Sequence, residues 1–177
     1  GLMAGTVDVL RRQWESSSHR LRERLVGLTD DEFRWEPVPG CWNVRRVGDS
    51  WTMDYPDVAP DPPPVTTIAW RLLHITHGTW MYADHAFGSG TMSFLDLEIH
   101  GTAAAAVEDL VASQQRLADV LDRLDDAGLE RDVATHLGDE PWTAAAVITT
   151  LIDEQIHHGA EIGLLRDLYL RLGPADD

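Results

Sequence analysis

The segment from Leu151 to Tyr169, "LIDEQIHHGAEIGLLRDLY", decides how the C-terminal part of the chain folds. Apolar residues recur in it every three or four positions, which predicts a helix with one buried face. Glu154 and His158 fall on that buried stripe, where leucine or isoleucine would be expected. An isolated carboxylate in a protein core is strongly unfavourable unless it is protonated, paired or bound to a metal ion. The segment therefore predicts both a helix and a chemical site.

Over the whole chain, hydrophobic periodicity predicts four long helices, and the segment quoted above lies in the last of them. They cover approximately residues 6–27, 66–88, 102–124 and 143–172. Thr6 and either Thr66 or Thr67 are predicted N-caps. A short extra helix is predicted in "TDDEFRWEP", where Thr29 and Glu32 form a capping-box pattern. No segment shows convincing strand alternation, so the predicted fold is an all-α four-helix bundle with long crossovers.

The longest crossover, residues 37–65, holds most of the prolines and has no helical period. A connection of this length is usually functional or is fixed in place by its own side chains. We expect Trp42, Trp51 and Tyr55 to fix it by packing on the bundle. The other tryptophans are predicted to pack in the core or to form a pocket wall above the site.

Composition limits the possible partners of the protein. The 177 residues are predicted to form one domain, residues 1–177, with an ordinary 44% of hydrophobic residues. The formal net charge of −16 makes nucleic acid and anionic membrane surfaces poor partners. No apolar run is long enough for a membrane span, and we expect a cytoplasmic protein. Cys41 is the only cysteine, and no spacing argument places a base beside it.

A third polar residue with metal-binding chemistry lies on an apolar stripe of the second helix. His74 stands among Leu72, Leu73 and Ile75 in "WRLLHITHGTWM". Glu154 and His158, four residues apart, project from one face of the last helix. The three side chains together would form a His₂Glu site with one coordination position left for water or substrate, as in catalytic zinc sites.

Several alternatives remain open at the level of sequence. His74 can instead be a core histidine bonded to a carbonyl group, and Glu154 with His158 can be an exposed pair. His77 is the main rival to His74 as a ligand. His157 and Glu161 are candidates for the layer around the metal ligands, where Glu161 would accept an imidazole N–H. Two further histidines, His85 and His136, have no spacing that assigns them a role.

The segments "TTIAWRLLHITHG" and "DEQIHHGAEIGLLRDLY" resemble the DinB/YfiT-like superfamily, particularly its actinobacterial members. The resemblance covers nearly the whole chain. It implies a four-helix bundle in up-down-down-up order with a divalent metal ion near one end. Many members hold the metal with a histidine on the second helix and His-x₃-His on the last helix. Here Glu154 stands where the first of those two histidines usually lies.

The His, Glu-x₃-His form is similar to the metal-binding domain of mycothiol-dependent maleylpyruvate isomerase. This resemblance implies His74, Glu154 and His158 as metal ligands, and a thiol cofactor of the mycothiol type for a transferase or isomerase reaction. That isomerase has a further C-terminal domain, which we do not expect within residues 1–177. The resemblance therefore transfers the metal site but not the substrate.

The sequence leads to three functional hypotheses. The first is a thiol-dependent transferase or isomerase that acts on a small molecule and uses zinc, nickel, iron or manganese. The second is a hydrolase that uses metal-bound water, with Glu161 or His157 as proton shuttle. The third is a non-enzymatic bundle that binds a ligand, or a structural metal with His77 as a fourth ligand. A homodimer formed through helix faces is also expected from the resemblance.

Overall fold

Four long helices form most of the protein in this computed structural model, which describes residues 4–56, 58 and 60–174. The long helices are α1 (Thr6–Leu25), α3 (Ile68–Phe87), α4 (Ala103–Leu121) and α6 (Ala144–Leu172). Two helices of one turn each are α2 (Asp30–Phe33) and α5 (Asp126–Leu129). The predicted helices are confirmed, and their observed ends lie within about three residues of the expected ones.

Threonine side chains define where most of these helices begin. The hydroxyl groups of Thr67, Thr102 and Thr143 accept hydrogen bonds from the backbone N–H three residues further along. Each bond satisfies one of the N–H groups that the first helical turn leaves unpaired. The first helix differs from the prediction: Thr6 is its first residue and Gly5 is the N-cap. Backbone N–H groups of this turn are instead bound by the carboxylate of Asp126.

The core lies between the long helices. Helices α1 and α3 each pack against both α4 and α6. One cluster of buried apolar side chains is centred on α3 and includes Leu72, Leu110 and Ile162. A second cluster fills the other end and includes Trp14 and Leu117. Burial of these apolar surfaces is the main favourable term in folding. In the part of the chain that the structure describes, no helix has the length and apolar content needed to cross a bilayer.

The prediction of an all-α fold is wrong in one respect, because two antiparallel hairpins occur in the crossovers. Strands β1 (Val44–Val47) and β2 (Ser50–Met53) form the first hairpin. Strands β3 (Asp132–Thr135) and β4 (Gly138–Thr143) form the second. The strands are only four to six residues long, and β1 and β4 show no alternation of buried and exposed residues. Strand β3 does alternate, but over four residues the pattern is too short to be recognised in sequence. The fold is therefore mostly helical with two small sheets.

The aromatic residues of the 37–65 crossover do pack on the bundle, as predicted. The rings of Trp42 and Trp70 on α3 have centroids 5.3 Å apart. Tyr55 lies parallel to Trp70 at 6.4 Å, and the indole N–H of Trp70 donates to the carbonyl of Asp54. Trp51 packs against the apolar cluster centred on α3. These contacts place the first hairpin beside the start of α3.

Replacement of Gly101 by alanine should loosen this packing. A Cβ at Gly101 would lie 1.8 Å from Cε2 of Trp51, so the indole ring must move. Overpacking of this kind typically costs about 1–3 kcal/mol of unfolding free energy. Gly78→Ala is the matched control, because nothing lies within 4 Å of its added Cβ. We expect the control to stabilise α3 by about 0.5–1 kcal/mol. Equal denaturation midpoints for the two variants would contradict this view of Trp51.

Candidate metal centre

His74, Glu154 and His158 meet on one side of the bundle, between α3 and α6. The Nε2 atoms of His74 and His158 lie 3.0 Å and 3.1 Å from the same oxygen, Oε2 of Glu154. The two imidazole rings meet edge to face, with centroids 4.9 Å apart. The three residues predicted from spacing are thus brought together by the packing of α3 on α6.

The site is half open to solvent. The side chains of His74 and Glu154 are 36% and 38% exposed, whereas that of His158 is 11% exposed. The prediction that Glu154 lies on a buried stripe is therefore only partly correct: the stripe reaches the edge of the interface at this residue. This position leaves room for a small molecule to approach the carboxylate from outside.

His158 lies between two carboxylates. Its Nδ1 is 2.9 Å from Oε2 of Glu161, and its Nε2 is 3.1 Å from Oε2 of Glu154. A neutral imidazole has a single N–H, so it can donate to only one of these oxygens. The other contact would place two lone pairs against each other unless a cation, either a second proton or a metal ion, lies between them. The arrangement therefore favours a positive charge between His158 and Glu154.

The donor set fits a divalent metal ion. One nitrogen or oxygen atom from each of the three residues lies within 4.8 Å of the others. Tetrahedral ligands at about 2.0–2.1 Å from a zinc ion are about 3.3–3.4 Å apart, which is close to the 3.0 and 3.1 Å between the two imidazole nitrogens and Oε2 of Glu154. Two imidazoles and one carboxylate also suit nickel, iron and manganese.

The surroundings of His74 favour the uncharged form of its imidazole. Its ring stacks on Trp70 with 5.1 Å between the centroids. Burial lowers the pKa of His74 below its ordinary value, and the neighbouring His158 lowers it further, although the hydrogen bond to Glu154 acts in the opposite direction. A neutral imidazole is the form that binds metal ions. Trp70 itself is buried, so it packs in the core, the first of the two roles expected for the tryptophans, directly beside His74.

Glu161 connects the site to a guanidinium group. Its Oε2 accepts from Nδ1 of His158 and also lies 2.6 Å from Nε of Arg71 on α3. In the tautomer whose proton lies on Nδ1, His158 donates to this carboxylate and has Nε2 free to coordinate a metal ion. His157 lies further out: its side chain is 62% exposed, with Nε2 3.6 Å from Oε1 of Glu161. Both residues occupy positions suited to the outer-layer roles predicted for them.

The remaining histidines lie outside this cluster. His77 is buried, and its Nε2 is 3.0 Å from the carbonyl oxygen of Glu98, so it is the carbonyl-bonded core histidine that was one alternative for His74. The pKa of His77 is lowered, mainly by burial.

Two further histidines also make contacts elsewhere: Nε2 of His85 lies 2.8 Å from the carbonyl oxygen of Met92, and the ring of His136 packs on Tyr82. Among the described residues, none of these three histidines joins a group that can hold a metal ion.

Arg71 is the site residue that sequence reasoning missed. It precedes His74 by three positions, so both residues lie on one face of α3. The i, i+3 spacing was visible in the sequence, but Glu161, the ion-pair partner of Arg71, is ninety positions away.

Cys41 lies apart from the site. It is buried, its thiol donates to the carbonyl of Val38, and its pKa is raised mainly by burial. These are not the surroundings of a reactive thiolate.

A second His–carboxylate pair lies at the crossover between α3 and α4. Nε2 of His100 is 2.9 Å from Asp109, which also accepts from the indole N–H of Trp80. These residues line a cavity of about 480 Å³. None of the proposed metal ligands lines that cavity, so it is separate from the candidate metal centre.

Comparison with known proteins gives a family and a fold. The model of the DinB superfamily matches residues 13–162. A DinB-like protein from Bacillus cereus has a similar structure, with 16% identity, a TM-score of 0.62, and coverage of 99% of this chain and all of the other. A conserved protein from Enterococcus faecalis gives 14% identity and a TM-score of 0.59, over 95% of this chain and 99% of that one. No curated protein matches the sequence. At these identities, the structural likeness shows the fold alone.

Proposed function

The chain belongs to the DinB superfamily, and we propose that it is a divalent-metal-dependent enzyme that uses a thiol as cofactor or substrate. His74, Glu154 and His158 would hold the ion. The observation that carries this proposal is the position of His158 between two carboxylates, because it favours a cation at Nε2. The half-exposed edge of the site provides the access that a reactant needs.

The residues around the ion have separate tasks. A divalent ion held there would lower the pKa of a thiol, so that the thiolate forms near neutral pH. Glu161 would hold the proton on Nδ1 of His158 and keep the ring oriented, while Arg71 would hold Glu161 in place. Trp70, stacked on His74, would restrict the rotation of that imidazole and exclude water from one side.

The proposed reaction is attack of a thiolate on an electrophilic carbon. The thiol loses its proton, and the sulfur lone pair forms the new S–C bond. In a transfer reaction, the leaving group departs with the electrons of its bond to that carbon. In an isomerisation, addition to a conjugated double bond is followed by rotation and loss of the same thiolate. His157, exposed and close to Glu161, would pass the released proton to solvent.

A thiol-dependence assay tests this function. Zinc-loaded protein is incubated with 1-chloro-2,4-dinitrobenzene and 2-mercaptoethanol, and formation of the thioether is followed by absorbance. We expect a rate above the uncatalysed one that requires both metal and thiol and is lost in His158→Ala. Hydrolysis of 4-nitrophenyl acetate without thiol would instead favour the alternative, in which metal-bound water is the nucleophile. A metal-loaded protein inactive in both assays would favour the non-enzymatic hypothesis.

The broader expectations from the sequence are part of the same proposal. We propose a single bundle domain over residues 1–177, in the up-down-down-up order of the family, that acts in the cytoplasm. A homodimer would be formed through the α1 and α6 face. Ile156 and Leu164 of α6 are 41% and 60% exposed on the helix that lines a groove of about 470 Å³ with α1. Covering these side chains in a dimer would remove apolar surface from water.

A further inference from the structure

Arg71 is an unusual residue to find beside the candidate metal centre. The protein carries a net charge of −16, yet this arginine has a side chain only 19% exposed at the edge of the site. Its pKa is lowered by burial, against the opposing effect of Glu161 and Glu154. Placing a cation there has a desolvation cost, which calls for a reason beyond the solubility of the surface.

Two contacts bear on the orientation of the guanidinium. Its central carbon lies 5.1 Å from the Trp70 ring centroid, and its Nε lies 2.6 Å from Glu161 in an ion pair that lacks hydrogen-bond alignment, so Nε has no hydrogen-bond partner among the described residues. The ion pair is made through Nε, so it does not use the outer edge formed by Nη1 and Nη2. That edge is the part of an arginine that binds a carboxylate through two parallel hydrogen bonds.

Arg71 and the proposed metal ligands flank the same side chains. The Trp70 ring is 5.1 Å from the His74 ring as well as from the Arg71 guanidinium. On the other side, one carboxylate group, that of Glu161, contacts both His158 and Arg71. The guanidinium therefore shares the neighbours Trp70 and Glu161 with the proposed metal ligands, which places it next to the candidate metal centre.

The charge balance of the site supports an anionic ligand. One divalent ion would neutralise Glu154 and Glu161, and both imidazoles would be neutral. With Arg71 included, one positive charge remains, which a single anionic group of a ligand, either the thiolate or a carboxylate, would balance. In a protein of such negative charge, a local positive potential at a half-open site selects anions.

We infer that Arg71 is a specificity-determining residue that binds a carboxylate of the reactant at the metal centre. This inference rests on the proposed function, because it assumes a metal-bound reactant. The carboxylate belongs either to the metal-bound thiol itself or to the second reactant. In both cases the outer edge of Arg71 donates two hydrogen bonds to the two carboxylate oxygens.

Cobalt-loaded protein provides a binding test that does not depend on turnover. Thiolate binding to Co²⁺ is followed by its charge-transfer absorbance, after cobalt affinity has been measured for each protein. The probes are 3-mercaptopropionate and 6-mercaptohexanoate, each compared with its uncharged amide. We expect at least one acid to bind wild type about tenfold more tightly than its amide, because two charge-assisted hydrogen bonds to the carboxylate contribute binding energy that the amide lacks.

A second experiment detects a carboxylate on the second reactant. Succinate is titrated into the protein by calorimetry in the presence of saturating 2-mercaptoethanol.

Three variants make the test specific to Arg71. Arg71→Met should remove the preference for the carboxylate, and Arg71→Lys should retain only part of it because lysine lacks the planar fork. Arg12→Met is the matched control, since Arg12 is an exposed arginine on α1, and it should behave as wild type. The inference is overturned if neither arm shows a carboxylate preference, or if the preference survives in Arg71→Met. Failure of wild type to bind cobalt would instead refute the proposed function.

Discussion

Replacement of His158 by alanine is expected to weaken zinc binding more than about a hundredfold, since even loss of a residue that only supports a ligand costs about 10–100-fold. His74→Ala and Glu154→Gln should have effects of the same order. Each variant leaves two ligands, and the remaining side chains can then satisfy each other without a metal ion. Competition titration with a chromogenic chelator measures these affinities directly.

Neighbouring residues on the same helix are the controls. His157→Ala removes an exposed imidazole whose Nε2 lies 3.6 Å from Glu161, beyond hydrogen-bond distance, so it should change zinc affinity less than about threefold, below the effect of losing a residue that hydrogen-bonds to a ligand. Glu161→Gln should weaken binding about 10–100-fold, because it replaces the charged acceptor of the His158 N–H by a neutral amide, which accepts more weakly and can turn its NH₂ group toward the ring. If His157→Ala weakened zinc binding as much as His158→Ala, the ion would have to lie on the other group that can hold one, formed by His157, His158 and Glu161.

Arg166→Met is expected to lower the free energy of unfolding by about 3–5 kcal/mol, as is typical when one partner of a buried ion pair is removed. Arg166 makes two hydrogen bonds of 2.7 and 3.0 Å to the carboxylate of Glu32, whose side chain is only 8% exposed. It also donates to the carbonyl groups of Arg24 and Val26 at the end of α1. The substitution leaves a buried carboxylate and two carbonyl groups without their donor. Urea denaturation followed by circular dichroism measures the change.

A double variant separates the two losses. Glu32→Gln in the Arg166→Met background removes the stranded negative charge, so it should recover part of the lost stability. Arg171→Met is a suitable control, because Arg171 is exposed and, within the described part of the chain, its recorded hydrogen bond is to the carbonyl of Asp167 in the same helix. A loss below about 1 kcal/mol in Arg166→Met, the value of an exposed ion pair, would show that Glu32 is not effectively buried.

The helices were predictable because they are long and their starts carry local signals. Apolar periodicity extends over about twenty residues in each of α1, α3 and α4, and further in α6. Thr67 and Thr143 cap their helices as side chains of this type commonly do. The exception, α1, begins one residue early because Asp126 supplies the capping oxygens from a distant part of the chain. No local pattern can reveal a partner 120 residues away.

The hairpins could not be predicted in the same way. Strand β1 reads "VRRV" and β4 reads "GDEPWT", and neither alternates between buried and exposed residues. They are stabilised by contacts with the bundle, such as Trp51 against Gly101, that involve residues far apart in sequence. A proline within β4 further argues against a strand, although it is tolerated in an edge position.

The centre of the site was predictable and its surroundings were not. Glu154 and His158 are placed together by helical spacing alone, and His74 was identified by its apolar neighbours. The choice of His74 over His77 depended on the rotation of α3, which the packing decides by directing His77 to the carbonyl of Glu98. Arg71 was missed because a charged residue on a helix is usually solvated, and only its contact with Glu161 distinguishes it.

Metal content is the measurement that tests the central claim most directly. The wild-type protein is purified without chelator, reconstituted separately with zinc, nickel, manganese and iron, freed of excess metal, and analysed by elemental mass spectrometry. The account predicts about one tightly held ion per chain for at least one of these metals, as three converging ligands require, and its loss in His158→Ala. Near-zero metal in every wild-type sample would contradict it.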